Sequence, residues 1–369
     1  MTNPTSIGTK NVWALSAAAD RIVVTRSSTT DWEIDYSSDG ESFTNAQNTH
    51  TNDIFSVKDV ANDGTDFLIV GTGESADLGK CYTMAFTWST KSWGTEDLVY
   101  SAINPLSARA PGIVRRSGNS DYVIAHQDDS EKVHGTDRTR VAVSYGTTGS
   151  WTKVSSGVQA GEATDADLDG ICISTDGRCH VGISVTFYQF RSDNTWASTA
   201  DSGTEDLGGQ GIYAGLWAAL NVSSTEYIVE HAGGVAGNVA SQAESQASTT
   251  WTQRTVGVEN FKGTGTFDGN FRVVGVDTTN NELDYAESTD GGITWGDVTT
   301  LADSTELGHN PVDDDGIRAA GWTISGAAAF SVVYLGPSST FYHYYITAAG
   351  AGAQPQKRPI LNFINNLVR

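Results

Sequence analysis

The sequence predicts an all-β chain, a seven-bladed β-propeller with a short C-terminal tail, and three observations predict it. The first is composition. Only 18% of residues are charged, while 40 are Gly, 10 Trp, 13 Tyr and 12 Phe. Many aromatics joined by many turn formers suit short strands better than a disordered acidic chain. The second is a repeat. A Ser or Thr followed by Trp or Phe recurs after a polar turn at Ser42-Phe43, Ser92-Trp93, Ser150-Trp151, Thr195-Trp196, Thr250-Trp251, Thr294-Trp295 and Thr340-Phe341. The third is the hairpin signal, Asp-Gly or Asn-Gly between short β-rich runs. Four strands per unit of about 40–50 residues is how propeller blades are built. Seven such units occupy 369 residues less a tail; six blades is the alternative if the last unit closes differently.

The elements follow in order. Residues 1–9 read as an N-terminal arm and 10–347 as the propeller. Unit two has the turn Asn62-Asp63-Gly64 before the strand Phe67 to Val70. Unit four has Thr175-Asp176-Gly177 before Cys179 to Ile183. Unit six has the turn Asp268-Gly269-Asn270, a second strand from Phe271 to Val276, the turn Thr278 to Asn281 and a third strand from Glu282 to Glu287. Unit seven has Asp313-Asp314-Asp315-Gly316 before Ile317 to Ile324, then Ala329 to Leu335, with Thr340-Phe341 ahead of its last strand. Residues 348–356 are an Ala/Gly/Gln/Pro linker. Residues 357–369 read as a basic, aliphatic docking peptide, with Ile360, Phe363, Ile364 and Leu367 on one helical face.

The net charge of −22 argues against nucleic acid, because phosphates need a positive counter-surface. No apolar run is long enough to insert into a membrane. Residues 1–20 lack the basic start and apolar stretch of a signal peptide. Three cysteines do not make a disulfide framework; Cys172 and Cys179 flank an Asp-Gly turn as a diagonal pair or as buried thiols.

The last turn of each unit resembles the Asp-box, Ser-X-Asp-X-Gly-X-X-Trp. Ser288 to Trp295 matches it fully, Ser37 to Phe43 is a shortened copy, and Ser192 to Trp196 is a remnant. On these residues the chain resembles the Asp-box (BNR) sialidase-like propeller superfamily. The resemblance implies that the boxes are structural turns on the outer rim, away from the ligand face. It fixes fold better than function, since that superfamily holds glycosidases, receptors, assembly factors and non-catalytic glycan binders.

Propeller ligands sit where the second strand of a blade joins the third and the fourth joins the next blade. Candidate ligand-binding residues there are Arg109, Asp128, Asp129, His134, Arg138, His231 and His309. Ser107 to Val114 is similar to the sialidase Arg-Ile-Pro motif, which would give Arg109 a carboxylate to bind. The segment from Asp128 to Arg140 is a charged loop in a charge-poor chain. His126 lies near the same strand ends. Carboxylates for a hydrolase include Asp128, Glu205, Asp206, Glu230 and Glu259. Asp165, Asp167 and Asp169 stand in the Asp-X-Asp-X-Asp-Gly order of calcium loops, which makes calcium the one candidate cofactor.

The expected function is a non-enzymatic binding module on the surface of a larger assembly, foremost the virion of a tailed phage or archaeal virus, recognising host glycan or protein. The tail would dock it onto other structural proteins. The alternatives are a sialidase-like glycoside hydrolase and an intracellular assembly scaffold. Location follows the reading: virion surface, otherwise extracellular by another route, or cytoplasmic.

Overall fold

The computed structural model describes residues 4–9, 11–27, 32–47, 54–73, 80–101, 111–116, 118–128, 140–154, 168–173, 179–183, 186–190, 193–195, 218–222, 225–231, 238–244, 252–259, 261–313 and 317–348. The described chain is almost entirely β. It opens with β1 (Thr5–Gly8). The first sheet holds β2 (Asn11–Ala18), β3 (Arg21–Ser27), β4 (Trp32–Ser37) and β5 (Thr44–Gln47). The second holds β6 (Ile54–Asn62), β7 (Phe67–Gly73), β8 (Lys80–Thr87) and β9 (Ser92–Ser101). The third holds β10 (Gly112–Arg116), β11 (Asp121–Asp128), β12 (Arg140–Thr147) and β13 (Ser150–Lys153).

The fourth sheet holds β14 (Leu168–Ile173), β15 (Cys179–Ile183) and β16 (Thr186–Phe190); the fifth holds β17 (Ala218–Val222), β18 (Thr225–His231), β19 (Asn238–Glu244) and β20 (Thr252–Thr255). The sixth holds β21 (Phe261–Phe267), β22 (Asn270–Asp277), β23 (Glu282–Ser288) and β24 (Thr299–Asp303). A one-turn helix, α1 (Ser304–Leu307), leads to the last sheet, with β25 (Arg318–Ile324), β26 (Ala327–Leu335) and β27 (Phe341–Thr347). Every pairing within these sheets is antiparallel and joins sequence neighbours, except that β27 also pairs with β1.

The sheets follow one another in a cycle. Among the described residues, β2 lies beside β6, β6 beside β10, β10 beside β14, β14 beside β17, β17 beside β21, β21 beside β25, and β25 beside β2. The cores lie between consecutive sheets, which explains the sequence of the second strands. Along β7, Phe67 and Ile69 join the core shared with Val23 and Ile34 of the first sheet. Leu68 and Val70 join the core shared with Ile113 and Ile124 of the third. A strand alternates its side chains between faces. When both faces are covered, the strand reads as a continuous apolar run, and β7 is buried throughout. β26 repeats this: Phe330, Val332 and Tyr334 pack toward the sixth sheet, Ala329 and Val333 toward the first. Some backbones touch so closely that only Gly fits. A Cβ on Gly321 of β25 would stand 1.7 Å from the carbonyl oxygen of Thr266 in β21.

The Ser-X-Asp turns join third strands to fourth. Oδ1 of Asp290 accepts from Ser288 Oγ (2.8 Å) and Thr294 N (2.8 Å), while Ser288 Oγ accepts from Gly292 N (2.7 Å). Asp39 and Ser37 repeat this in the first sheet, where Glu41 N and Ser42 N each donate to Oδ1 of Asp39 at 2.8 Å. Gly40 takes the left-handed φ of 70° that the turn needs.

Two expectations change. Thr5–Gly8, inside the segment set apart as an arm, is the fourth strand of the last sheet, with Thr5 opposite His343. Consequently Thr340-Phe341 precedes a third strand, not a fourth, and Arg318–Ile324 is a first strand rather than a second. The period alone cannot show this, because the missing strand comes from the other end of the chain.

Candidate ligand-binding face

Hairpins between second and third strands, and connections between one sheet and the next, share one end of every sheet, because neighbouring strands run antiparallel. Asp128 closes β11 opposite Arg140, and His231 closes β18 opposite Val239, so their backbones lie at that end. His309 lies there too, between α1 and β25. Arg109, Asp129, His134 and Arg138 lie outside the described residues, as do Asp165, Asp167 and the tail residues Ile360, Phe363, Ile364 and Leu367. Asp169 falls within β14, where the pairing shifts between Leu168 and Gly170. The backbone of the third residue of the calcium-loop pattern therefore lies in a strand. The register sets Cys172 opposite His180 and Cys179 opposite Ile173, an offset of one that puts the two cysteines at positions of opposite faces and not on a diagonal; Cys179 is a buried thiol.

His309 is the most fully built of these positions. Its ring stacks on Tyr334 and lies tilted against Tyr342, with centroids 5.7 and 4.1 Å away. Tyr334 Oη lies 3.1 Å from His309 Nε2. Burial lowers the His309 pKa, and burial raises that of Tyr334. Burial thus favours the uncharged form of both partners, and the imidazole tautomer sets which of them donates. Gly336 makes room for the group, since a Cβ there would meet Tyr342 Cε2 at 2.5 Å and His309 Nε2 at 2.8 Å. Beside it runs the turn Pro337–Ser339, exposed, with Ser338 and Ser339 both at positive φ (57° and 53°). Tyr334 is fully buried, whereas His309 and Tyr342 are half-buried and Asn310 is exposed. The result is an aromatic shelf edged with polar groups. Sequence reasoning found His309 but missed Tyr342 and Gly336. The signal was the short hairpin joining Ala329–Leu335 to Phe341, on the ligand side of the last unit.

His126 does not belong to this face. It is 2% exposed, bonds Ser144 Oγ (2.8 Å) and stacks on Tyr100. It is a satisfied core histidine.

Two charged clusters were not anticipated. On the first strands, Asp59 accepts from Ile113 N of the next sheet (2.9 Å) and from Val60 N (2.8 Å). Burial pushes its pKa up to about 6 against these bonds and the charge of Arg318 in β25. Burial alone brings the neighbouring Lys58 down to about 8. On the sixth sheet, Asp277, Glu282 and Asp284 gather at the hairpin joining β22 to β23, with one carboxylate oxygen of each within 4.8 Å of the others. Burial, then the charges of Glu282 and Asp277, raise the Asp284 pKa to about 6 despite a hydrogen bond from Thr300. Glu259 adds to the same repulsion.

Neither a known protein family nor a curated protein sequence matches the chain. Solved structures do. The GH74 xyloglucanase from Xanthomonas campestris superposes with a TM-score of 0.55 and 13% identity, over 90% of this chain and 53% of that one. The chain thus spans about half that enzyme's length. AofleA from Arthrobotrys oligospora gives 0.47 and 7%, over 92% and 84%. Aleuria aurantia lectin, described as a six-bladed β-propeller with a novel fucose recognition mode, gives 0.45 and 13%, over 91% of each chain. At these identities the likeness concerns fold alone.

Proposed function

We propose that the chain is a seven-bladed β-propeller of the Asp-box, sialidase-like superfamily and a non-enzymatic module that binds glycan at the hairpin end of its sheets. The cyclic succession of seven first strands supports the blade count, and the Ser37-Asp39 and Ser288-Asp290 turns support the superfamily. The observation that carries the function is the shelf of His309 and Tyr342 over buried Tyr334. Aromatic faces suit the C–H faces of sugar rings, while exposed amide and hydroxyl groups alongside, here Asn310 and the serines of the Pro337 turn, fix orientation. Binding of immobilised glycans by the full chain, and its loss in Tyr342→Ala, tests this reading.

The narrower proposal is that the module is mounted on a virus particle and meets host surface. It draws on sequence alone: an acidic, Ser/Thr/Gly-rich chain with a basic, aliphatic tail. Deleting residues 353–369 should leave the sheets folded and abolish incorporation into the assembly; normal incorporation refutes the tail's role.

A glycoside hydrolase remains the second reading, favoured by one observation. Asp284, with its raised pKa beside Glu282, has the pairing of an acid and a second carboxylate that retaining glycosidases use about 5 Å apart. Against it, Asp284 is only 6% exposed. Turnover of a fluorogenic glycoside panel, lost in Asp284→Asn, would establish the enzyme instead.

A further inference from the structure

The carboxylates of the sixth sheet have a geometry that hydrogen bonding within the protein leaves unexplained. Glu282 of β23 stands directly opposite Asp277 of β22 on one side and Asp303 of β24 on the other. Like charges placed directly across a ladder destabilise it. Asp277 and Asp303 have local work. Asp277 accepts from Thr279 N and Asn280 N in the hairpin, and Asp303 caps α1 by accepting from Glu306 N. Asp284 differs. It lies two residues beyond Glu282, on the same face of the strand, and is 6% exposed. Its Oδ1 is buried and has no hydrogen-bond partner among the described residues. A buried carboxylate oxygen left unpaired is costly, and it lies among carboxylates that repel it. A cation would satisfy the orphaned oxygen and cancel the repulsion at once.

We propose that Asp277, Glu282 and Asp284 form a calcium site at the hairpin end of the sixth sheet. All three ligands are hard oxygens, the set that Ca2+ and Mg2+ take. The three oxygens lie within 4.8 Å of one another, close enough to share one ion. Three carboxylates favour Ca2+, which takes six to eight oxygens in flexible geometry, over Mg2+, which keeps most of its waters and takes one or two carboxylates. Water completes the shell on the solvent side, where Asp277 and Glu282 are half-buried. The site is independent of the Asp165 segment and of the glycan reading. It would fix the hairpin beside α1, which leads to His309.

The test uses the full chain, stripped with EDTA and titrated with CaCl2 in a calorimeter and in thermal melts. The expected result is saturable uptake with a Kd in about the 0.1–1 mM range and a rise in Tm. MgCl2 should act at least tenfold more weakly. Asp284→Asn should lose this uptake, yet melt no lower than the wild type in EDTA, because the substitution removes repulsion. Glu282→Gln, at a half-buried position, repeats the test without touching the buried group. Absence of saturable uptake below about 5 mM, uptake unchanged in both variants, or an equal response to Mg2+ would overturn the assignment.

Discussion

Nδ1 of His343 lies 3.0 Å from the carbonyl oxygen of Gly40, joining the third strand of the last sheet to the Ser-X-Asp turn of the first. A carbonyl only accepts, so Nδ1 carries the proton and Nε2 accepts from Ser331 Oγ, 2.9 Å away. The ring is 1% exposed, and burial lowers its pKa to about 4 in spite of the Gly40 bond. The folded chain thus holds a neutral imidazole where the unfolded chain takes a proton below about pH 6.5. The stabilisation is full above pH 6.5 and is lost as pH falls toward 4, by about 3 kcal/mol in all. Urea midpoints measured between pH 7 and 4 should fall more steeply for the wild type than for His343→Gln. Parallel curves would remove His343 from the seam.

The same seam depends on the N-terminus. Thr5 pairs with His343 and Ser6 with Tyr342, so β1 covers the outer edge of β27. Removing residues 1–8 exposes that edge, which is a template for pairing with other chains. The truncated protein should melt well below the intact one and aggregate, as gel filtration would show. An unchanged Tm and a monomeric profile would mean that the strand is dispensable.

Arg116 ties the third sheet to the fourth. Its side chain is fully buried, bonds Asp121 through Nε (2.8 Å), and reaches Asn194 Oδ1 (2.7 Å). Breaking one side of a buried pair is far worse than replacing both partners by apolar groups. Asp121→Ala should cost about 3–5 kcal/mol in denaturant unfolding, and Arg116→Met combined with Asp121→Leu much less. A double variant that loses as much as Asp121→Ala would contradict a charge-based account.

Asp290 should matter to stability and not to ligand. It accepts from two side chains and from Thr294 N in a turn at the end of the sheet away from the shelf. Asp290→Ala should cost about 1–3 kcal/mol and leave glycan binding unchanged. A binding defect at full foldedness would place the ligand on the opposite face.

Much of the fold was legible because its causes are local. Phe67 to Val70, Cys179 to Ile183 and Phe271 to Val276 all lie in strands as read, since turn chemistry and short apolar runs act over a few residues. Strand β1 was not legible. Its partner β27 is over 300 residues away, and Thr5–Gly8 carries one buried side chain to announce it. The site was half legible. His309 reads from the sequence as a ligand-side histidine, whereas Tyr342 reads as an ordinary strand residue; only the fold of its hairpin brings it against that ring. Asp277, Glu282 and Asp284 form no contiguous motif. They meet only because the four-residue turn from Thr278 to Asn281 sets Asp277 opposite Glu282. That pairing could have been drawn from the two strands read in unit six.

The central claim is that glycan binds on the His309–Tyr342 shelf. A glycan array probed with the full chain, followed by calorimetry on the best ligand with wild type, Tyr342→Ala, His309→Ala and Asp290→Ala, addresses it most directly. The account predicts a reproducible glycan ligand whose affinity falls at least tenfold in Tyr342→Ala and His309→Ala and holds in Asp290→Ala. An array without ligands, or a ligand bound equally well by all four proteins, would contradict it.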